Sequence, residues 1–192
     1  MGKKITTDKI LITAIDLINQ RGVDQLTLKE VAATLGIKPP SLYNHFANLE
    51  ALIDSIALKS MTELYDLLVT DMIGLAGVEA LEKIAFTYRN YARTHPGQYE
   101  AIQRVSLWKS TKTIELSEKL VRLFEKIVQN YLPFETEQIH YIRTFRSYLH
   151  GFILLELDGS FGMEQDIEES FKYGVNQLLK SLQIKTQEKI RK

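Results

Sequence analysis

TLKEVAATLGIKPPSLYNHF, residues 27–46, reads as two short helices joined by a tight turn. Thr27 stands where an N-cap belongs, because its hydroxyl can accept a hydrogen bond from an otherwise unpaired backbone N–H. Glu30, three residues on, is placed to reach back to the Thr27 backbone N–H and complete a T-x-x-E capping box. Val31, Ala32 and Leu35 give the first helix an apolar face, and Leu26 and Val31 occupy the staple positions around the cap. Gly36 supplies the residue that ends a helix in the left-handed region, which side chains with a Cβ avoid. Ile37 then plugs the corner.

The second helix opens on Pro39 and Pro40, tolerated only in a first turn, where no intrahelical N–H partner is needed. Leu42 and Phe46, four apart, form its inward face. Lys38, Pro39, Ser41, Tyr43, Asn44 and His45 are left outward. A very short helix presenting hydroxyls, an amide, an imidazole and a lysine suits the major groove of DNA. The spacing alone leaves a second reading open, a capped helical corner with a polar exterior.

The pattern resembles the helix-turn-helix of TetR-type bacterial transcriptional repressors, T-x-x-x-I-A-x-x-x-G-V-x-x-x-x-L-Y-x-H-F. Here it stands as Thr27, Val31, Ala32, Gly36, Ile37, Leu42, Tyr43, His45 and Phe46. The resemblance implies that Thr27, Lys38, Pro39, Ser41, Tyr43, Asn44 and His45 meet double-stranded DNA. The commoner family pattern continues with a phosphate-binding lysine, where this chain has Leu49. Residues 142–171 are similar to one subclass with the signature R-x-x-x-H-G-F-x-x-L-E-x-x-G-x-F, present here as Arg146, His150, Gly151, Phe152, Leu155, Glu156, Gly159 and Phe161. YRNYARTHPGQYEA at 88–101 carries the same likeness.

Outside this stretch, apolar spacing predicts an all-α chain of about nine helices and no strand. The expected spans are 7–21, 48–72, 78–94, 98–108, 113–131, 136–157 and 164–182, besides the two helices of the motif. Lys3 and Lys4 read as a loose arm, and KTQEKIRK at 185–192 as a polar tail. Three small helices hold little core of their own, so the helix from Asn48 is expected to support them. The division reads as a DNA-binding domain over 1–47 and a ligand-binding and dimerisation domain over 48–192.

Composition narrows the function classes. The 192 residues are 45% hydrophobic and 25% charged, with no cysteine and zero net charge. Disulfides and thiolate metal sites are therefore ruled out. No apolar run is long enough to span a bilayer, and the N-terminus lacks a signal-peptide core, so a cytoplasmic protein without a membrane partner is expected. Residues 1–46 carry Lys3, Lys4, Lys9, Arg21, Lys29 and Lys38 against Asp8, Asp16, Asp24 and Glu30. This weakly basic head, on a body with two more acids than bases, fits DNA binding through one end.

No nucleophile elbow, phosphate loop or dinucleotide fingerprint appears. His45, His95, His140 and His150 lack metal-ligand spacing, so neither enzyme chemistry, a metal nor a cofactor is expected. Glu156, inside the apolar run ILLELDG, reads either as a structural ion pair with Arg146 or His150, or as a polar group in a ligand pocket. Tyr88, Phe86, Tyr99, Trp108 and Tyr148 can be core or cavity lining, and aromatics at helical spacing are usually core; the resemblance brings the cavity reading level with it. The resemblance implies a cavity for a small, largely apolar effector, to which Phe152 and Glu156 would also belong. It further implies a homodimer on a palindromic operator. The helix at 136–157 carries two apolar stripes, more than one chain is expected to cover. Phe145, Leu149, Gly151, Phe171, Val175 and Leu178 are the candidate dimer residues. The competing function is a dimeric helical ligand-binding or adaptor protein that leaves DNA alone.

Overall fold

A computed structural model describes residues 5–190, with side chains through residue 183. The Lys3–Lys4 arm and the side chains of the 185–192 tail lie outside the described residues. Eight α-helices follow one another: α1 (Thr7–Arg21), α2 (Leu28–Leu35), α3 (Leu49–Asp71), α4 (Gly77–Thr94), α5 (Pro96–Gln103), α6 (Thr111–Val128), α7 (Glu135–Leu157) and α8 (Ile167–Ile190). Short 3-10 helices occupy Val23–Gln25, Pro39–Asn44 and Val105–Leu107. Among the described residues there is no strand, as the all-α reading expects.

Local chemistry explains most helix ends. Thr6 caps α1 by accepting from Lys9 N at 3.3 Å. Asn48 caps α3 by accepting from Ala51 N at 2.8 Å, and Asp166 caps α8 through Glu169 N at 2.9 Å. That last cap starts α8 at Ile167 rather than at 164. The helix expected over 98–108 is shorter. It stops at Gln103, where Arg104 leaves the helical region (φ −79°, ψ 55°) while its guanidinium holds Asp24 at 2.6 Å and Glu100 at 2.5 Å.

The chain divides into two compact units, Met1–Leu64 with Thr94–Ser117, and Tyr65–Arg93 with Glu118–Lys192. Packing thus groups more chain with the head than residues 1–47. In the first unit, Ile10, Ala14, Ile18, Val31, Leu42 and Phe46 share one buried cluster with Leu52, Ile53 and Ile56 of α3. Those three α3 side chains are the support a small head needs, each worth about 1.5–3 kcal/mol on burial. Helix α5 clamps the same core. Asn19 Oδ1 on α1 accepts from Gly97 N at 3.0 Å and Gln98 N at 3.1 Å. Gln98 in turn donates to Glu63 of α3 at 2.7 Å.

The second unit has its own core, built on Leu81, Ala85, Val128, Leu132, Phe145, Leu149, Phe171 and Val175. This corrects the expected dimer stripe. Phe145 and Leu149 are 1% and 2% exposed, and Phe171 and Val175 are 0% exposed. Their own chain covers them: Phe124 of α6 lies 6.0 Å from the Phe145 ring, and Phe86 of α4 lies edge-on to Phe171 at 5.3 Å. Leu178 and Phe152 pack half-buried against the same cluster. Gly151 alone among the candidates is open, since a Cβ there would meet nothing within 4 Å.

Candidate nucleic-acid interface and effector residues

The head is shaped by three local devices. Thr27 Oγ1 accepts from Glu30 N at 3.1 Å, fixing the start of α2. Only half of the expected capping box forms, because the Glu30 carboxylate pairs with Arg21 instead. An opposite charge is the stronger partner for a carboxylate than a backbone N–H. Gly36 ends α2 in the left-handed region (φ 67°, ψ 32°), and Ile37 N closes the turn on Ala32 O at 3.0 Å.

The second helix of the motif consists of 3-10 turns over its six residues, Pro39–Asn44. Two prolines remove amide donors, and so short a segment favours i→i+3 bonds over an α-helical ladder. Ser41 N donates to Lys38 O, and His45 N to Leu42 O, each at 2.9 Å. Leu42 is 0% and Phe46 6% exposed, which anchors the element inward. Lys38, Pro39, Tyr43 and Asn44 are exposed, as is Thr27, while Ser41 and His45 are half-buried. Tyr43 is 58% exposed, a large aromatic ring held out from the head. His45 is steadied by a 2.9 Å hydrogen bond between its Nδ1 and Thr7 Oγ1 at the start of α1.

The candidate effector residues fall in both units. Tyr99 (1% exposed) and half-buried Trp108 belong to the first. Tyr88, Tyr148, Phe152 and Glu156 belong to the second. There, Tyr148 donates to Phe171 O at 2.9 Å and stacks on the Phe171 ring at 6.0 Å. Burial pushes the Tyr148 hydroxyl up to about 12, against an opposing pull from Arg89. Phe152 contacts Phe161 at 4.7 Å and Phe171 at 5.1 Å. Tyr88 packs half-buried against the same core.

Arg89 is the residue the sequence reading missed. Its Nε and Nη2 each donate to Glu156 at 2.7 Å, and Nη1 donates to Glu168 at 2.6 Å. Its guanidinium carbon lies 4.6 Å from the Phe171 ring centroid, so the cation is both paired and stacked. Glu156 is therefore in an ion pair, but with α4 rather than with Arg146 or His150. Burial, helped by Arg146, holds the His150 imidazole below its ordinary value. One signal was available: Arg89 falls four residues after Ala85 and three before Ala92, on the inward face of α4. A separate cleft of about 260 Å³ lies in the second unit, lined by Leu132, Glu137, His140, Tyr141, Leu182 and neighbours. None of the expected effector residues lines it.

Among the described residues no group of three or more metal-ligating side chains comes together. No helix searched there is long and apolar enough to cross a membrane.

Comparison with known proteins agrees with this geometry. Residues 10–56 match the family described as bacterial regulatory proteins, tetR family, and residues 81–178 match the tetracyclin repressor-like C-terminal domain. The chain is 32% identical over 181 residues to the uncharacterized HTH-type transcriptional regulator YobS of Bacillus subtilis (strain 168), covering 94% of each. It is 33% identical over 102 residues to the class A tetracycline repressor from transposon 1721 of Escherichia coli, 49% of this chain and 46% of that one. In fold it is similar to a TetR variant from Acinetobacter baumannii AYE in complex with minocycline, with TM-score 0.65, 19% identity, and coverage of 94% and 97%. The chain belongs to the TetR family of bacterial regulatory proteins and is a DNA-binding transcriptional regulator.

Proposed function

We propose that the chain is a repressor that leaves its operator when a small, largely apolar molecule binds. The observation that carries the DNA half is the motif's second helix: Leu42 and Phe46 hold it from within, and Lys38, Tyr43 and Asn44 stand exposed. Residues 1–47 carry operator binding, and 48–192 carry effector binding and dimerisation. Thr27 and its helix N-terminus meet phosphate, while Ser41, Tyr43, Asn44 and His45 read bases. The effector half is supported by the minocycline complex of the similar Acinetobacter protein and by the two matched domains. Release follows if the effector binds the DNA-incompetent arrangement more tightly than the competent one. The H-G-F-x-x-L-E signature at 150–156 supports assignment to the subclass that shares it.

The protein acts as a two-fold dimer on a palindromic site with half-sites about one DNA turn apart, roughly 34–36 Å. With the Phe145 and Phe171 stripe buried, the available surface is Gly151 with Leu154, Leu155 and Leu157, which are 48%, 48% and 41% exposed, and Tyr173 on α8 at 68%. Gly151→Leu is expected to leave the protomer folded, because a Cβ there meets nothing within 4 Å, yet to weaken dimerisation at least tenfold. Sedimentation equilibrium checks this; an unchanged dimer constant removes Gly151 from the interface.

Selection of binding sites from random-sequence DNA tests the repressor reading directly. A palindromic consensus is the expected result, and a pool with no enriched sequence refutes it. On the selected site, Tyr43→Ala is expected to lose about 1–3 kcal/mol of binding, typical of a good base contact. The exposed ring makes this loss separable from folding, so an unchanged melting curve should accompany it.

A further inference from the structure

Among the described residues, three buried polar atoms of the first unit have no hydrogen-bond partner: Asp54 Oδ1, Trp108 Nε1 and Thr113 Oγ1. Asp54 is 6% exposed and Thr113 0%. Asp54 of α3 is tied to the stretch that carries the other two. The other Asp54 oxygen, Oδ2, accepts from Lys109 N at 3.2 Å and Ser110 N at 2.8 Å. Trp108 immediately precedes those amides, and Thr113 N donates to Ser110 O at 3.1 Å in the first turn of α6. Native chains rarely bury such groups unpaired, and each one calls for a cause such as water, an ion or a functional role.

Their chemistry selects the occupant. The positive end of α6 is already taken by Asp54 Oδ2, and Lys109 Nζ turns aside to Ser106 O at 3.0 Å. An anion would therefore face an uncompensated carboxylate oxygen. A group that satisfies the set must donate to Oδ1 and accept from the indole N–H, while the Thr113 hydroxyl can do either. An ammonium only donates. A hydroxyl or a primary carboxamide does both. We propose that Asp54, Trp108 and Thr113 form a polar subsite of the effector site, taking a neutral hydroxyl or carboxamide on an apolar body. This rests on the reading of the chain as an effector-responsive regulator. It also gives the effector a hold on the head, because Asp54 shares α3 with Leu52, Ile53 and Ile56, which sit in the head's core.

Trp108 is the sole tryptophan, so its emission reports on this point of the full chain. Titration with 1-hexanol, hexanamide, hexylammonium and hexanoate supplies four heads on one apolar body. A saturable emission change with hexanol and hexanamide, at least tenfold weaker with the two ions, is expected. Thr113→Val should weaken the hexanol response roughly fivefold to tenfold, the worth of one neutral hydrogen bond, and Thr113→Ser should restore it. A flat titration marks a site that holds solvent alone and overturns the proposal. So does a hexanoate response as strong as that of hexanol, or a response indifferent to Thr113→Val. Mobility shifts on the same preparations separate the two readings. A chain that retards its selected DNA but ignores hexanol fails the subsite alone, whereas one that answers hexanol but binds no DNA keeps the subsite and fails the repressor reading.

Discussion

Gly97→Ala is expected to loosen the head from α5 and cost about 3 kcal/mol of stability, the upper end of overpacking penalties. A Cβ at position 97 would lie 2.2 Å from Ile18 O, 2.3 Å from Ile18 C and 2.6 Å from Asn19 N. All three are backbone atoms of α1, so no side-chain rotation relieves the clash and the two helices must separate. Separation also strains the bonds by which Asn19 Oδ1 holds Gly97 N and Gln98 N. Urea denaturation followed by circular dichroism gives the loss, and operator affinity should fall in the same variant. Asn19→Ala, which removes the bonds but adds no atom, should cost less. A Gly97→Ala protein as stable as the parent would contradict this helix packing.

Arg89→Met is expected to cost about 3 kcal/mol, because it takes the two-bond partner from a buried carboxylate and leaves it only the longer contact to Arg93. The Glu156 side chain is only 11% exposed and would keep only the half-exposed Arg93 guanidinium, 3.5 Å away. Arg89→Met combined with Glu156→Leu should recover most of that loss, since apolar replacement of a whole buried ion pair is close to neutral. Glu168→Gln should cost less than about 1 kcal/mol, as a 51% exposed side chain is screened by water. Denaturation midpoints of the four proteins settle the comparison. If the double variant is no more stable than Arg89→Met, the ion pair is not what holds α4 to α7.

What the sequence made legible is what neighbouring residues decide. Thr27, Gly36 and Asn48 announce helix ends within a few residues of themselves, and α1 runs over the expected 7–21. The inward Leu42 and Phe46 follow from a spacing of four. Partners distant in the chain were not legible. Glu156 finds its cation 67 residues away, and spacing within one helix offers no hint of that. Glu30 chose Arg21 over its own helix because charge outweighed a local cap. Phe145 and Leu149 read as a surface stripe from sequence, because periodicity shows that a face is apolar but not which neighbour covers it. The break after Gln103 depends on Arg104 reaching Asp24, another contact between segments far apart in sequence.

The bond between His45 and Thr7, with Leu42 and Phe46 beneath, has a consequence for how such a regulator diverges. The 3-10 element hangs from the head by these few points, while Tyr43, Asn44 and Lys38 bear no weight in the fold. Substitutions at those three positions are nearly free of folding cost, so under the proposed DNA-reading role DNA preference can drift step by step through folded intermediates. A descendant can thus acquire a new set of promoters without first repairing its architecture, and without changing the molecule to which it answers.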